Sequence, residues 1–232
     1  MPVLGFLHTS SVHIAPSDAL VAELAPGWAA VHVVDESLLN DARSRGEVDA
    51  EITARVQARF AELQASSPDV VICTCSTIGG VSEQLGALRV DRPMAAEAVR
   101  LAAAGGGSIL VVVSTASTVA PTRALIDDEL GRGASSTVIA AVSEGLERAR
   151  VDVLVVDEAW GLFERGDLSG YAICLVEAIR THISELVAGS RLIPDVIVLA
   201  QASMREVPGR ISDLGIPVLT SLALAVKAAT VR

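Results

Sequence analysis

Apolar residues in this chain follow two rhythms. Short continuous runs have the length and β-branched content of buried strands: Leu4-Gly5-Phe6-Leu7, Ala29 to Val34, Val70 to Cys73, Ser108 to Val113, Val151 to Val156 and Asp195 to Leu199. Other stretches repeat apolar residues every three or four positions, as a helix laid on a sheet requires. Ile52, Val56, Phe60 and Leu63 do so between Asp49 and Ser66, and Leu175, Ile179, Ile183 and Leu186 do so later. Pro16 and Pro121 each sit where a first helical turn tolerates proline, ahead of Ala19-Leu20-Val21 and Ala124-Leu125. Val81 to Leu88 is expected as a further helix, and Pro93-Met94-Ala95 as a short strand or the way into an Ala-rich stretch. Pro217 to Ser221 and a short Ala-rich helix close the chain. Strand alternating with helix predicts an α/β protein built on parallel sheets.

The pattern repeats within the chain. Ala15-Pro16-Ser17 answers Ala120-Pro121-Thr122, placing Ser10 opposite Thr115 and His13 opposite Thr118. Val33-Val34-Asp35-Glu36 answers Val155-Val156-Asp157-Glu158, and Pro68-Asp69-Val70 answers Pro194-Asp195-Val196. Six residues past each of those last two aspartates stand Cys75 and Gln201. A repeat of half the chain means two similar lobes, since solenoid repeats run about 20–50 residues. Gly105-Gly106-Gly107 is the strongest internal break, so residues 1–104, completed by 215–232, form the expected first lobe and 105–214 the second.

Composition narrows the partners. Of 232 residues 51% are hydrophobic and only 3% aromatic, so Ala, Val, Leu and Ile build the core. A formal net charge of -10 without a Lys/Arg cluster argues against nucleic acid. The apolar runs are strand length, so no membrane span is expected. Three cysteines, an odd number, and a start without a basic and apolar leader point to a reduced, cytoplasmic protein.

Chemistry concentrates where strands end, the place where open α/β sheets bind ligands. Val70-Val71-Ile72-Cys73 runs into Thr74-Cys75-Ser76-Thr77, followed by Gly79-Gly80. Cys75 is the candidate catalytic thiol, weighed evenly against a small buried hydrophobe. Cys73 and Cys174 read as core. Thr9-Ser10-Ser11 and Ser114-Thr115-Ala116-Ser117-Thr118 follow strands in the same way. They serve as helix caps and as donors for a carboxylate, with Ser203 and Thr220 candidates at the other edge. His8 ends a strand and is either a structural histidine or a second acid/base group. Asp35-Glu36 and Asp157-Glu158 read as structural or solvent-facing. No metal spacing, dinucleotide fingerprint, P-loop or nucleophile elbow occurs, so neither a metal nor a cofactor is implied.

The run Val71 to Thr77, the strand end Ser114 to Thr122, and Val196 to Met204 together resemble the aspartate/glutamate/hydantoin racemase superfamily, which includes arylmalonate decarboxylase and maleate isomerase relatives. The resemblance covers nearly the whole chain. It implies two pseudo-symmetric α/β lobes, each a parallel sheet flanked by helices, with a cofactor-independent site in the cleft between them. It also implies a cysteine from each lobe acting on opposite faces of a carbon next to a carboxylate. Cys75-Ser76-Thr77 matches the first cysteine element. Leu199-Ala200-Gln201-Ala202 departs from the second, with Gln201 in place of the thiol. Glutamine does not titrate, so it cannot exchange a proton.

The resemblance therefore implies a racemase- or isomerase-like enzyme acting by proton transfer or thiol addition on a small amino acid or related acid. Cys75 is the acid/base or nucleophile, and Gln201 or His8 the second acid/base or polarising group. Ser10, Ser76, Thr77, Thr115, Thr118, Ala202 and Ser203 are the residues expected at the substrate. An arylmalonate decarboxylase-like lyase and a non-catalytic carboxylate-binding protein are the alternatives. A homodimer or higher homo-oligomer is implied by resemblance alone.

Overall fold

Strand β1 (Val3–His8) lies at the heart of one parallel sheet, flanked by β2 (Ala29–Val34) and β3 (Val70–Cys73), with β4 (Leu88–Arg89) beyond β3. Strand β5 (Ser108–Val113) repeats the arrangement, flanked by β6 (Arg150–Val155) and β7 (Val196–Leu199), with β8 (Val218–Thr220) beyond β7. All pairs in both sheets are parallel. The description, from a computed structural model, covers residues 1–134 and 149–231. Helices flank each sheet, so the two lobes have the expected α/β architecture.

In the first sheet, strand alternation sorts the core onto two faces. Leu7, Val71 and Cys73 pack under α2 (Glu36–Arg45), α3 (Ala50–Gln64) and α4 (Ser76–Gln84), through Leu38, Ile52, Val56, Leu63 and Ile78. Leu4, Phe6 and Ile72 pack on the other face against α1 (Ile14–Leu24) and α9 (Ser221–Thr230), through Val21, Leu222, Ala225 and Val226. In the second sheet every side chain of β5 and β7 is buried. Around that sheet run α5 (Arg92–Ala104), α6 (Val119–Ala134), α7 (Asp157–Glu164) and α8 (Leu168–Ala188), the last burying Leu175, Ile179, Ile183 and Leu186 at the expected spacing.

The chain divides into Met1–Pro93 with Ser221–Arg232, and Met94–Thr220. The expected break at the glycine triplet is therefore displaced. Gly105-Gly106-Gly107 ends α5 inside the second unit, because it is tied to the start of β7. The Gly106 and Ser108 amides donate to Asp195 at 2.9 and 2.7 Å, and a Cβ on Gly105 would stand 2.2 Å from Asp195 Oδ1. Asp69 has the matching duty in the first unit, accepting from the Val3 amide at 2.8 Å. Each lobe thus anchors its central strand to the aspartate that precedes its third.

Backbone bonds also set the register of the repeat. Thr74 N donates to Leu7 O and Ala200 N to Val112 O, so Cys75 and Gln201 are equivalent positions. One expected pairing slips by a residue. Asp35 N donates to His8 O, but Val156 N donates to Val113 O, which sets Asp35 opposite Val156 and Glu36 opposite Asp157. Asp35 caps α2 by accepting from the Ser37 amide, whereas Val156 has no capping side chain at α7. One further expectation changes: helix α4 begins at Ser76, ahead of the expected Val81. Pro93 lies in the first turn of α5, so Pro93-Met94-Ala95 is the way into the Ala-rich stretch, the second of its two expected forms.

Candidate functional site

Four strand ends carry the candidate residues, and they share one local design. Ser10, Cys75, Thr115 and Gln201 are each the last extended residue before a helical turn, with φ of -159°, -110°, -147° and -127°. A side chain there stands over the carboxyl edge of its sheet, beside backbone N–H groups with no intrahelical partner.

In the first unit Cys75 directly precedes α4, a nine-residue helix, and is 8% exposed. Ser76 is buried and Thr77 half-buried in its first turn. The turn's amides and the helix dipole favour an anion at this end. Cys73 is a different thiol. It is fully buried on β3, its Sγ donating to Cys75 O at 3.6 Å, and burial first, then Cys75, pushes it up to about 12. It is a core group, as expected. Cys174 is half-buried on α8 rather than in the core, its thiol pushed up by burial and then by Glu158 and Glu177.

His8 is buried at the end of β1 with both ring nitrogens engaged. Nδ1 lies 2.9 Å from Thr74 Oγ1 and Nε2 lies 2.9 Å from His32 Nδ1. Burial first, then His32 and His13, pushes it down to about 3. Both nitrogens are thus occupied by protein groups, one of them in the turn that carries Cys75. Ser10 is half-buried, and its side chain makes no capping bond.

In the second unit the hydroxyls are mutually bonded. Thr115 Oγ1 and Thr118 Oγ1 are 2.8 Å apart, both buried, and Ser117 Oγ donates to Thr115 Oγ1 at 3.4 Å. Gln201 is oriented without ambiguity. Its Oε1 accepts from the Ser114 amide at 2.6 Å and from Ser114 Oγ at 2.8 Å. An amide N–H can only donate, so Oε1 is the oxygen and Nε2 the donor end. Among the described residues Nε2 has no partner. Behind it, Tyr171 OH bridges Ser114 Oγ at 3.1 Å and Ser203 Oγ at 2.8 Å, and burial pushes the phenol up. Ala202 is buried and Ser203 half-buried. Only the three-residue turn Ala202–Met204 follows Gln201, so this end lacks the anion-favouring helix that follows Cys75.

Sequence reasoning missed Tyr171, His32 and Asp18. Tyr171 reads as one more apolar position of α8, and its hydroxyl partners lie 57 and 32 residues away. Thr220 ends β8 half-buried. Among the described residues no group of three His, Cys, Asp or Glu side chains is arranged to hold a metal, and no helix is long and apolar enough to cross a membrane.

No family model matches the chain, nor does any curated protein sequence. Solved structures do resemble it along its length. A glutamate racemase from Bacillus anthracis has a TM-score of 0.63 at 15% identity, covering 99% of this chain and 80% of that one. An allantoin racemase from Klebsiella pneumoniae has a TM-score of 0.59 at 14% identity, covering 99% and 86%. An arylmalonate decarboxylase has a TM-score of 0.52 at 15% identity, covering 99% and 91%. The chain has the two-lobed α/β fold of the aspartate/glutamate/hydantoin racemase superfamily. At such identities the likeness is one of fold.

Proposed function

We propose that this protein is a cofactor-independent, racemase-like isomerase acting at the carbon next to the carboxylate of a small acid, in the cytoplasm. The observation that supports it most is the position of Cys75, ahead of α4 and equivalent in the repeat to Gln201. Ser76 and Thr77 with the first amides of α4 bind the carboxylate, and Ser10 supplies a further hydroxyl; Thr115, Thr118, Ser203 and Gln201 are the candidate donors of the second unit. The Cys75 sulfur takes the α-proton, leaving an enediolate, and the same sulfur returns it. Gln201, at the equivalent position, has no proton to give up, so the chemistry is one-sided: return to the opposite face falls to water, and label is exchanged faster than configuration is inverted.

Incubation with amino, hydroxy, malonic and maleic acids in deuterated water tests this. Deuterium enters the α-carbon of at least one acid, and Cys75→Ala abolishes the uptake. Absence of both uptake and conversion across these acids would overturn the enzyme reading.

The committed orientation of Gln201 favours a second reading, a carboxylate-binding protein without turnover. Under it, Cys75→Ala leaves calorimetric binding of the same acids unchanged.

A further inference from the structure

A line of four side chains runs from the surface of the first unit to the residue between its two thiols. Asp18 of α1, half-exposed, has Oδ1 at 3.0 Å from His32 Nε2. His32 of β2 has Nδ1 at 2.9 Å from His8 Nε2, and His8 Nδ1 is 2.9 Å from Thr74 Oγ1. Thr74 Oγ1 also lies 3.3 Å from the Leu7 carbonyl. The rings are held nearly parallel, His8 to His32 at 17° and each to Phe6 at 5° and 13°. The strand pattern puts Phe6 and His8 on one face, with His32 paired to Phe6 across the sheet.

Partner chemistry dictates the protons. A carboxylate only accepts, so His32 Nε2 carries hydrogen. In neutral His32, Nδ1 is then an acceptor, so His8 donates from Nε2 and accepts at Nδ1. The donor to His8 Nδ1 can only be the Thr74 hydroxyl. With one more proton on the chain, both bonds of His8 reverse and all remain satisfied. His32 donates at both nitrogens, to Asp18 and to His8 Nε2. His8 donates from Nδ1 to Thr74 Oγ1, and the Thr74 hydroxyl turns to Leu7 O. The second acceptor for Thr74 completes the charged arrangement.

We propose that Asp18, His32, His8 and Thr74 form a relay that couples protonation of His32, near the surface, to the direction of the Thr74 hydroxyl at the strand end that carries Cys75. Between the two arrangements one proton is taken up from solvent: the Thr74 hydroxyl turns from His8 Nδ1 to Leu7 O, His8 carries its hydrogen at Nδ1 instead of Nε2, and His32 carries hydrogen on both nitrogens beside Asp18. No bond other than those to the moving protons forms or breaks. His8 itself stays neutral, in keeping with its burial. The titratable groups around it are His32 from β2, Asp18 from α1, and His13, whose ring centre is 6.3 Å away. Cys73 on β3 points to the opposite face with Leu7. Asp18, His32 and His8 act through Thr74, the residue before Cys75, and are positioning residues. Their role in turnover rests on the proposed function, but the relay does not.

Long-range proton–nitrogen NMR of the intact protein, labelled with nitrogen-15 at histidine, tests the relay without any turnover. At mildly alkaline pH, His8 is the Nε2–H tautomer. On acidification it inverts to Nδ1–H in step with protonation of His32, and Asp18→Asn uncouples the two events. A His8 tautomer that stays fixed while His32 titrates, or a His8 that takes the charge itself, would overturn the relay. If deuterium exchange is found, His32→Gln removes from its pH profile the inflection that tracks His32, and an unchanged profile overturns the relay's part in catalysis.

Discussion

Arg89 and Asp91 meet through two parallel hydrogen bonds, Nε to Oδ1 at 3.0 Å and Nη2 to Oδ2 at 2.9 Å, with both side chains buried. The pair lies under α4, and the Gly79 backbone rests on its guanidinium. Removing one partner leaves a buried charge without its counterion. Asp91→Ala is therefore expected to cost about 3–5 kcal/mol, whereas the double change Arg89→Met, Asp91→Leu costs less than that single change. Urea unfolding midpoints of the three proteins check this.

The adjacent glycines of α4 are expected to respond in opposite directions. A Cβ on Gly79 would stand 2.9 Å from Arg89 Nε, held in place by Asp91, while one on Gly80 would meet nothing within 4 Å. Gly80→Ala gains up to about 1 kcal/mol of helix propensity, and Gly79→Ala loses stability despite the same propensity gain. Thermal melts of the two single variants decide it.

His8 sets an acid limit on stability. Its value falls from 6.5 in the unfolded chain to about 3 in the folded one, so the unfolded state binds more protons between those limits. The stabilisation is complete above the upper limit and is lost as pH falls toward the lower, with a slope of about 1.4 kcal/mol per pH unit for one proton. Unfolding free energies measured across that range flatten in His8→Asn by one proton's worth of slope.

Asp195 holds the Gly106 and Ser108 amides together. Asp195→Ala is expected to cost about 1–3 kcal/mol. Hydrogen exchange at Gly106 and Ser108 rises in that variant.

Gln201→Cys tests the one-sided mechanism from the other direction. A titratable thiol replaces the amide, so label uptake is now accompanied by loss of optical activity in the same acid. Ser114 loses its acceptor, which lowers stability by about 1–2 kcal/mol. Chiral chromatography against mass spectrometry separates inversion from simple exchange.

The central strands, the longer helices beside them, the internal repeat and the equivalence of Cys75 with Gln201 were legible in the sequence. Each rests on local spacing: period two or continuous apolar runs for strands, period 3.6 for helices, and Pro-Asp ahead of each third strand. The helix Glu36–Arg45 was not legible, because its outward face is polar and only Leu38 and Ala42 are buried. The one-residue slip beside Asp35 escaped for a related reason, since two similar Val-Val-Asp-Glu strings align by letters while backbone bonds set the real register.

The sequence by itself determined which residues end strands, and so which side chains could carry chemistry at the carboxyl edges. Tertiary structure alone decided their hydrogen bonds. Both nitrogens of His8 are occupied, because folding brings Thr74 and His32 to them from 66 and 24 residues away. Gln201 became an N–H donor because Ser114, 87 residues away, claims its oxygen. Hydrogen-bond direction depends on which partner folding brings to each atom, and that is a property of pairs distant in the chain, not of a local pattern.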